Sequence, residues 1–318
     1  MAVYTHVPAE EMAALLMRYG VGALRSFKGI AEGVENSNYL VEAEGGRFIL
    51  TLYEKRVDSG DLPFFLALLD HLADRGLPVP RALKDGEGVQ IQTVAGRPAC
   101  LIEFLEGVSL SHPTPQQARA TGEALGQMHG ALADFAPERN NTLGLAGWHE
   151  LAGRCGTAVD SIAPGFSARI AEELTFLDAH WPVDLPRSVI HADLFPDNVL
   201  MLGDRVTGMI DFYFACTEIR AWDVAVTHSA WAFSADGRDY DAAIGKALVD
   251  GYQTAHPLTD AERAGLPVLA RGSALRFTLT RAWDWLNTPS DALVTRKDPL
   301  AFLRRLDFYA QNPECFTA

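Results

Sequence analysis

At 318 residues the chain is longer than a typical single domain, which predicts two lobes, and its 48% hydrophobic content excludes a disordered protein. A net charge of -14 argues against binding nucleic acid or an anionic membrane, both of which call for basic surface. No window reaches the roughly 18 apolar residues of a membrane span. Glu10 and Glu11 stand where a secretory apolar run would lie, and the four cysteines form no C-x-x-C pair, so the expectation is a cytoplasmic protein with reduced thiols.

In chain order, a helix is predicted from Pro8 to Tyr19, with proline in its first turn and Gly20 just past its end. Residues 37–43 and 47–53 flank Glu44-Gly45-Gly46 and read as a hairpin. A helix over 62–75 carries apolar residues at 62, 65, 66, 69 and 72 and is closed by Gly76 and the Pro78-Val79-Pro80 break. Residues 89–94 alternate as a strand does, and 98–105 form a buried strand. After Gly107 the pattern turns helical. Thr114 caps a helix over 115–132, and Ser167 opens another that runs to Trp181. Short apolar strands at 189–190, 199–202 and 206–210 follow. The chain then ends in helices, including one over 268–286 preceded by a Thr259/Glu262 capping box. The class is α+β, with a small β-rich lobe over 1–105 and a larger helical lobe over 106–318.

The most informative run is His191-Ala-Asp-Leu-Phe-Pro-Asp-Asn198, followed by Asp211 in Gly-Met-Ile-Asp-Phe. Its spacing is that of the protein-kinase pattern H-R-D-x-x-x-x-N followed by D-F-G. With the lobe order above, this predicts a bilobal protein-kinase-like fold, the 1–105 lobe binding nucleotide and the 106–318 lobe carrying the catalytic loop and substrate pocket. In that arrangement the first Asp, here Asp193, orients the attacking hydroxyl and accepts its proton. Asn198 and Asp211 then hold Mg²⁺ against the phosphates of ATP. Ala192 and Tyr213 replace the pattern's Arg and Gly, which points to a kinase of small molecules rather than of proteins. Asp223 is expected to anchor the catalytic loop by hydrogen bonds.

The nucleotide would lie between the lobes. Gly29, Gly33, Asn36, Ser37 and Asn38 precede or open the first hairpin strand, where a phosphate-covering loop belongs. Glu103, Phe104 and Leu105 form the candidate hinge, whose backbone would pair with the adenine edge. The strand position that faces the phosphates in a kinase falls on Thr51, with Lys55 further on, and the helix over 62–75 has no Glu to pair with a lysine. Lys55 is the candidate phosphate lysine. On the 268–286 helix Arg276, Arg281 and Asp284 form a charged stripe among apolar residues, and an arginine fork suits a substrate carboxylate.

The catalytic run with Ile210-Asp-Phe212 resembles the phosphotransferase superfamily of aminoglycoside, choline and related small-alcohol kinases. Gly29-Ile-Ala-Glu-Gly-Val-Glu-Asn-Ser-Asn-Tyr, Leu50-Thr-Leu-Tyr-Glu-Lys-Arg, Asp61-Leu-Pro-Phe-Phe, Ile210-Asp-Phe-Tyr-Phe-Ala-Cys and Arg271-Gly-Ser-Ala-Leu-Arg-Phe resemble the bacterial homoserine kinases of this fold over nearly the whole chain. The resemblance implies ATP and L-homoserine as substrates, Mg²⁺ as cofactor, and O-phospho-L-homoserine made for threonine biosynthesis. On that reading Arg276 or Arg281 meets the carboxylate and Asp284 the ammonium. Two alternatives stand beside it. One is a kinase of another small alcohol on the same fold (an aminoglycoside, choline or a sugar), and the other is a non-catalytic nucleotide-binding pseudokinase. The presence of Asp193, Asn198 and Asp211 argues against the second.

Overall fold

The computed structural model describes residues 4–30, 36–54, 58–288 and 296–316. The chain divides into two compact units, one of residues 1–106 with 208–213, the other of 107–207 with 214–318.

The first unit is built on a five-stranded antiparallel sheet in the order β1-β2-β3-β5-β4. Its strands are β1 (Leu24–Gly29), β2 (Ser37–Ala43), β3 (Gly46–Leu52), β4 (Gln92–Val94) and β5 (Arg97–Glu103). The β2–β3 hairpin forms where Gly45-Gly46 predicts it, and Gly46 takes a φ of 140° that a side chain would resist. Strand alternation then sorts the side chains. Tyr39, Val41, Phe48, Leu50, Leu52, Ala99 and Leu101 share one buried cluster with Met12, Leu15, Leu16 and Tyr19 of helix α1 (Ala9–Tyr19). Asn38, Thr51 and Cys100 sit at the intervening positions and so belong to the other face. Helix α2 (Leu62–Asp74) buries Leu62, Phe65, Leu66, Leu68, Leu69 and Leu72. The alternation at 89–94 produces a strand only over Gln92–Val94, because the Asp85 carboxylate and main chain capture the Val89 peptide in a turn. β1 was not anticipated. It is an edge strand with exposed Arg25 and Lys28, and such an edge shows no apolar alternation.

The second unit is mainly helical, with α3 (Pro115–Ala131), α4 (Leu145–Cys155), α5 (Phe166–His180), α6 (Arg220–Trp231), α7 (Ala242–Ala255), α8 (Asp260–Asn287) and α9 (Leu300–Gln311). The expected capping box at Thr259/Glu262 forms, and so does one at Thr114/Gln117. The Thr259 box opens α8 itself, eight residues before Val268, and the helix continues through Pro267 because its length packs against α4, α6 and α9. α3 and α7 touch backbone to backbone. A Cβ on Gly122 would lie 2.0 Å from the Leu248 carbonyl oxygen, and one on Gly251 would lie 2.1 Å from that of Arg119. Short strands β6 (Arg187–Ile190) and β9 (Cys216–Ile219) pair antiparallel, and β7 (Val199–Leu202) pairs with β8 (Arg205–Met209).

Candidate active site

The catalytic loop connects β6 to β7 within the second unit. Ala192 adopts a left-handed φ of 64°, a conformation that costs a residue with a side chain about 1–2 kcal/mol. The structure holds it from both ends. Asp223, on α6 and fully buried, accepts the His191 N–H at 2.7 Å on one oxygen and the Ala192 N–H at 2.8 Å on the other. Arg276 of α8 donates to the Ala192 carbonyl. The anchoring role expected for Asp223 is thus what its geometry shows. Burial works against its charge, but the bonds from His129 and the His191 peptide outweigh that and hold the carboxyl below the usual range. His129 bridges Asp223 at 3.2 Å and the Tyr252 hydroxyl at 2.9 Å, tying α3 and α7 to the loop.

The apolar residues of the loop act as plugs. Phe195 packs edge-on to Phe277 at 5.0 Å and against Phe302 at 6.1 Å, and the Trp231 indole donates to the Leu194 carbonyl at 2.9 Å. Between these anchors Asp193 is half-buried. Burial pushes its carboxyl up to about 6, with Asp197 acting in the same direction and Arg276, Lys297 and Arg281 pulling against it. A carboxylate with that value is ionised at neutral pH yet basic enough to take a proton. Asn198 donates through its amide nitrogen to the Asp193 carbonyl at 2.8 Å and, more weakly, to its carboxylate at 3.4 Å. Its Oδ1 is therefore turned the other way, a hard oxygen donor.

Asp211 lies in the returning segment of the first unit, exposed, with a left-handed φ of 65°. Each is a hard oxygen of the kind magnesium takes, the Asn198 amide oxygen in the second unit and the Asp211 carboxylate in the first. Among the described residues no group of three or more His, Cys, Asp or Glu could hold a metal unaided.

Several expected contacts fall elsewhere. Arg276 does not offer its fork to a substrate. It is 2% exposed, bonded to the loop, and enclosed by the Phe214, Trp222 and Phe277 rings. The Ser37 hydroxyl is spent on structure, donating to Glu54 at 2.7 Å and accepting from the Tyr4 and Thr5 amides. Asn36 Oδ1 accepts the Glu54 N–H at 3.3 Å, and Asn38 Oδ1 accepts from Thr51 at 2.8 Å. The Glu103 N–H is taken by the Arg81 carbonyl at 2.9 Å, so an adenine contact there has no free amide. Phe104, under the Arg47 guanidinium at 4.6 Å, and Leu105 follow the end of β5. Gly29 ends β1 opposite Tyr39. Gly33 and Lys55 lie outside the described residues.

Among the described residues the Arg281 head makes no ion pair with a carboxylate. It lies over Phe302 at 4.4 Å and makes a long bond to the Asp298 carbonyl at 3.4 Å. Burial lowers its guanidinium to about 10, against the attraction of Asp298, Asp193 and Asp197. Asp284 is half-buried one helical turn further on. Lys297, exposed and acting on Asp193, was not legible in the sequence, because only folding returns the segment after α8 to the loop. His129 carried a signal that was passed over: it shares α3 with Leu125 and Met128 and is buried with them.

Residues 26–258 match the family model described as the phosphotransferase enzyme family. The chain belongs to this family. Its members' fold is shared with an amicoumacin kinase solved with AMP-PNP and Ca²⁺ (TM-score 0.70, 15% identity, 96% of this chain and 94% of that one). A spectinomycin phosphotransferase solved with ADP is similar too (TM-score 0.67, 14% identity, 98% of each). Much nearer in sequence is the homoserine kinase of Zymomonas mobilis, 57% identical over 98% of both chains. That of Xanthobacter autotrophicus is 52% identical over 97% of this chain and 96% of its own. Within the phosphotransferase family the chain groups with the homoserine kinases, and the α+β protein-kinase-like class read from the sequence is the fold of these relatives.

Proposed function

We propose that the chain is a cytoplasmic ATP:L-homoserine O-phosphotransferase. The identity above 50% to homoserine kinases over nearly the full length carries the choice of acceptor. The Asp193 loop supplies the chemistry. In this reading the Asp193 carboxylate, raised to about 6, receives the proton of the homoserine hydroxyl as that oxygen attacks the γ-phosphorus in line. The Asn198 Oδ1 and the Asp211 carboxylate would hold Mg²⁺, whose charge would offset that of the phosphate oxygens. Adenine pairs with the main chain at Phe104–Leu105, and the 1–105 lobe binds the nucleotide while 106–318 binds the acceptor. Arg281 takes the substrate carboxylate. Its like-charged neighbour Arg305, likewise without a carboxylate partner among the described residues, keeps the local potential positive in a chain that is acidic overall. Asp284 takes the ammonium.

The test is ADP release across a panel of alcohols: L-homoserine, L-serine, choline, an amino alcohol lacking the carboxylate, and an aminoglycoside. A preference of at least tenfold in kcat/KM for L-homoserine is expected. Equal or greater turnover of choline or an aminoglycoside would replace homoserine by a cationic acceptor.

A further inference from the structure

The first unit answers a question the sequence raised: what stands where protein kinases couple a strand lysine to a helix glutamate. On the sheet face away from α1, Asn38, Thr51 and Cys100 are neighbours across β2, β3 and β5, with Asn38 opposite Thr51 and Thr51 opposite Cys100. The Thr51 hydroxyl donates to Asn38 Oδ1 at 2.8 Å. Two residues on, Tyr53 is buried and lies close to the Cys100 thiol. Tyr213 completes the set from the returning segment, two residues after Asp211. Its hydroxyl donates to the Tyr53 hydroxyl at 3.3 Å and lies close to Thr51. Its ring stands edge-on to Tyr53 at 5.5 Å and to Phe65 of α2 at 5.6 Å. Every member is neutral, since burial pushes both phenols and the thiol upward.

We infer that Tyr213 is a positioning residue for the metal-binding turn: its hydroxyl, seated on Thr51 and Tyr53, and its ring, seated on Phe65, fix the left-handed backbone at Asp211 in place of a lysine–glutamate pair. The physical case rests on three observations. Asp211 carries an uncommon φ in a non-glycine residue, and such a turn persists only when neighbouring contacts over-determine it. The segment 208–213 belongs to the first unit although the chain on either side of it belongs to the second, so contacts such as these set its position. And α2, which has no glutamate, contacts the segment through the edge-on Phe65 ring. A neutral latch suits the place. It holds the turn without adding a fixed cation beside the phosphates, which leaves charge neutralisation there to the metal.

The inference rests on the kinase reading, and the experiment separates the two. Calorimetric binding of AMP-PNP is measured with and without Mg²⁺ for the wild type, Tyr213→Phe, Thr51→Val and Thr51→Ser, with melting temperatures and KM for both substrates. Loss of one buried hydrogen bond predicts roughly a three- to tenfold weaker Mg²⁺-dependent affinity in Tyr213→Phe and Thr51→Val, recovered in Thr51→Ser. KM for ATP should rise in parallel while KM for homoserine holds. Should Tyr213→Phe fail to fold, the Thr51 pair decides alone. Wild-type binding with Mg²⁺-independent or absent losses in the variants overturns the latch. A wild type that binds no nucleotide overturns the kinase reading as well.

Discussion

The catalytic loop and the Asp211 turn both contain a non-glycine residue in left-handed backbone, at Ala192 and Asp211, but they are stabilised by opposite kinds of chemistry. Ala192 is clamped by buried charges, Asp223 on its N–H side and Arg276 on its carbonyl. Around Tyr213 the groups are neutral hydroxyls, an amide and a thiol. Charges desolvated to hold a loop leave strongly unfavourable partners behind when one is removed, whereas a neutral hydrogen bond contributes about 1 kcal/mol and its loss is graded. The loop should therefore fail abruptly and the turn by degrees.

The largest expected effect is on turnover. Asp193→Asn keeps the shape and the Asn198 contact but removes the base, so kcat should fall by about 10² or more with nucleotide affinity retained. Steady-state rates and AMP-PNP titration check this, and near wild-type turnover would take Asp193 out of the mechanism.

Next comes the clamp. Asp223→Ala leaves the His191 and Ala192 amides without their acceptor inside the protein. At about 1–3 kcal/mol for each buried donor, destabilisation of about 3 kcal/mol or more follows. Denaturant unfolding should show it, together with a loss of activity although Asp223 touches no substrate. A variant as stable and active as its parent would mean that the loop holds itself.

Arg281→Leu should act on one substrate only. KM for homoserine should rise about tenfold or more, as befits a charge-assisted contact of roughly 1.5–3 kcal/mol, while an amino alcohol lacking the carboxylate is much less affected. Equal losses on both would return Arg281 to a packing role over Phe302.

The smallest effect distinguishes the two carboxylates by pH. Asp193 is raised to about 6, so kcat/KM should climb as pH rises through that value, with the fold unchanged. Asp223 is depressed. Its stabilisation is present above the ordinary carboxyl value of about 4 and is lost only as pH falls below it. Activity lost near pH 6 together with the circular dichroism of the fold would contradict this separation.

The set Asp193, Asn198 and Asp211 could be read directly from the sequence because its spacing is local. The Asp and Asn lie five apart in one loop, and a short apolar strand follows at once. The hairpin at Gly45-Gly46, the Thr114 cap and the Thr259/Glu262 capping box were legible for the same reason: each is closed by residues a few positions apart. Helix α7 was harder to see, since Gly245 and Gly251 look like breaks until His228 of α6 is found lying against the first and the α3 backbone against the second. The two arginines of α8 show where sequence ends. Arg276 and Arg281 lie on the same helix among the same apolar neighbours, and nothing local separates them. Packing placed one beneath a carbonyl 84 residues away and left the other over Phe302 and bonded to the Asp298 carbonyl. Spacing within a loop or helix is determined by the chain, while which distant backbone group meets a side chain depends on how whole elements pack.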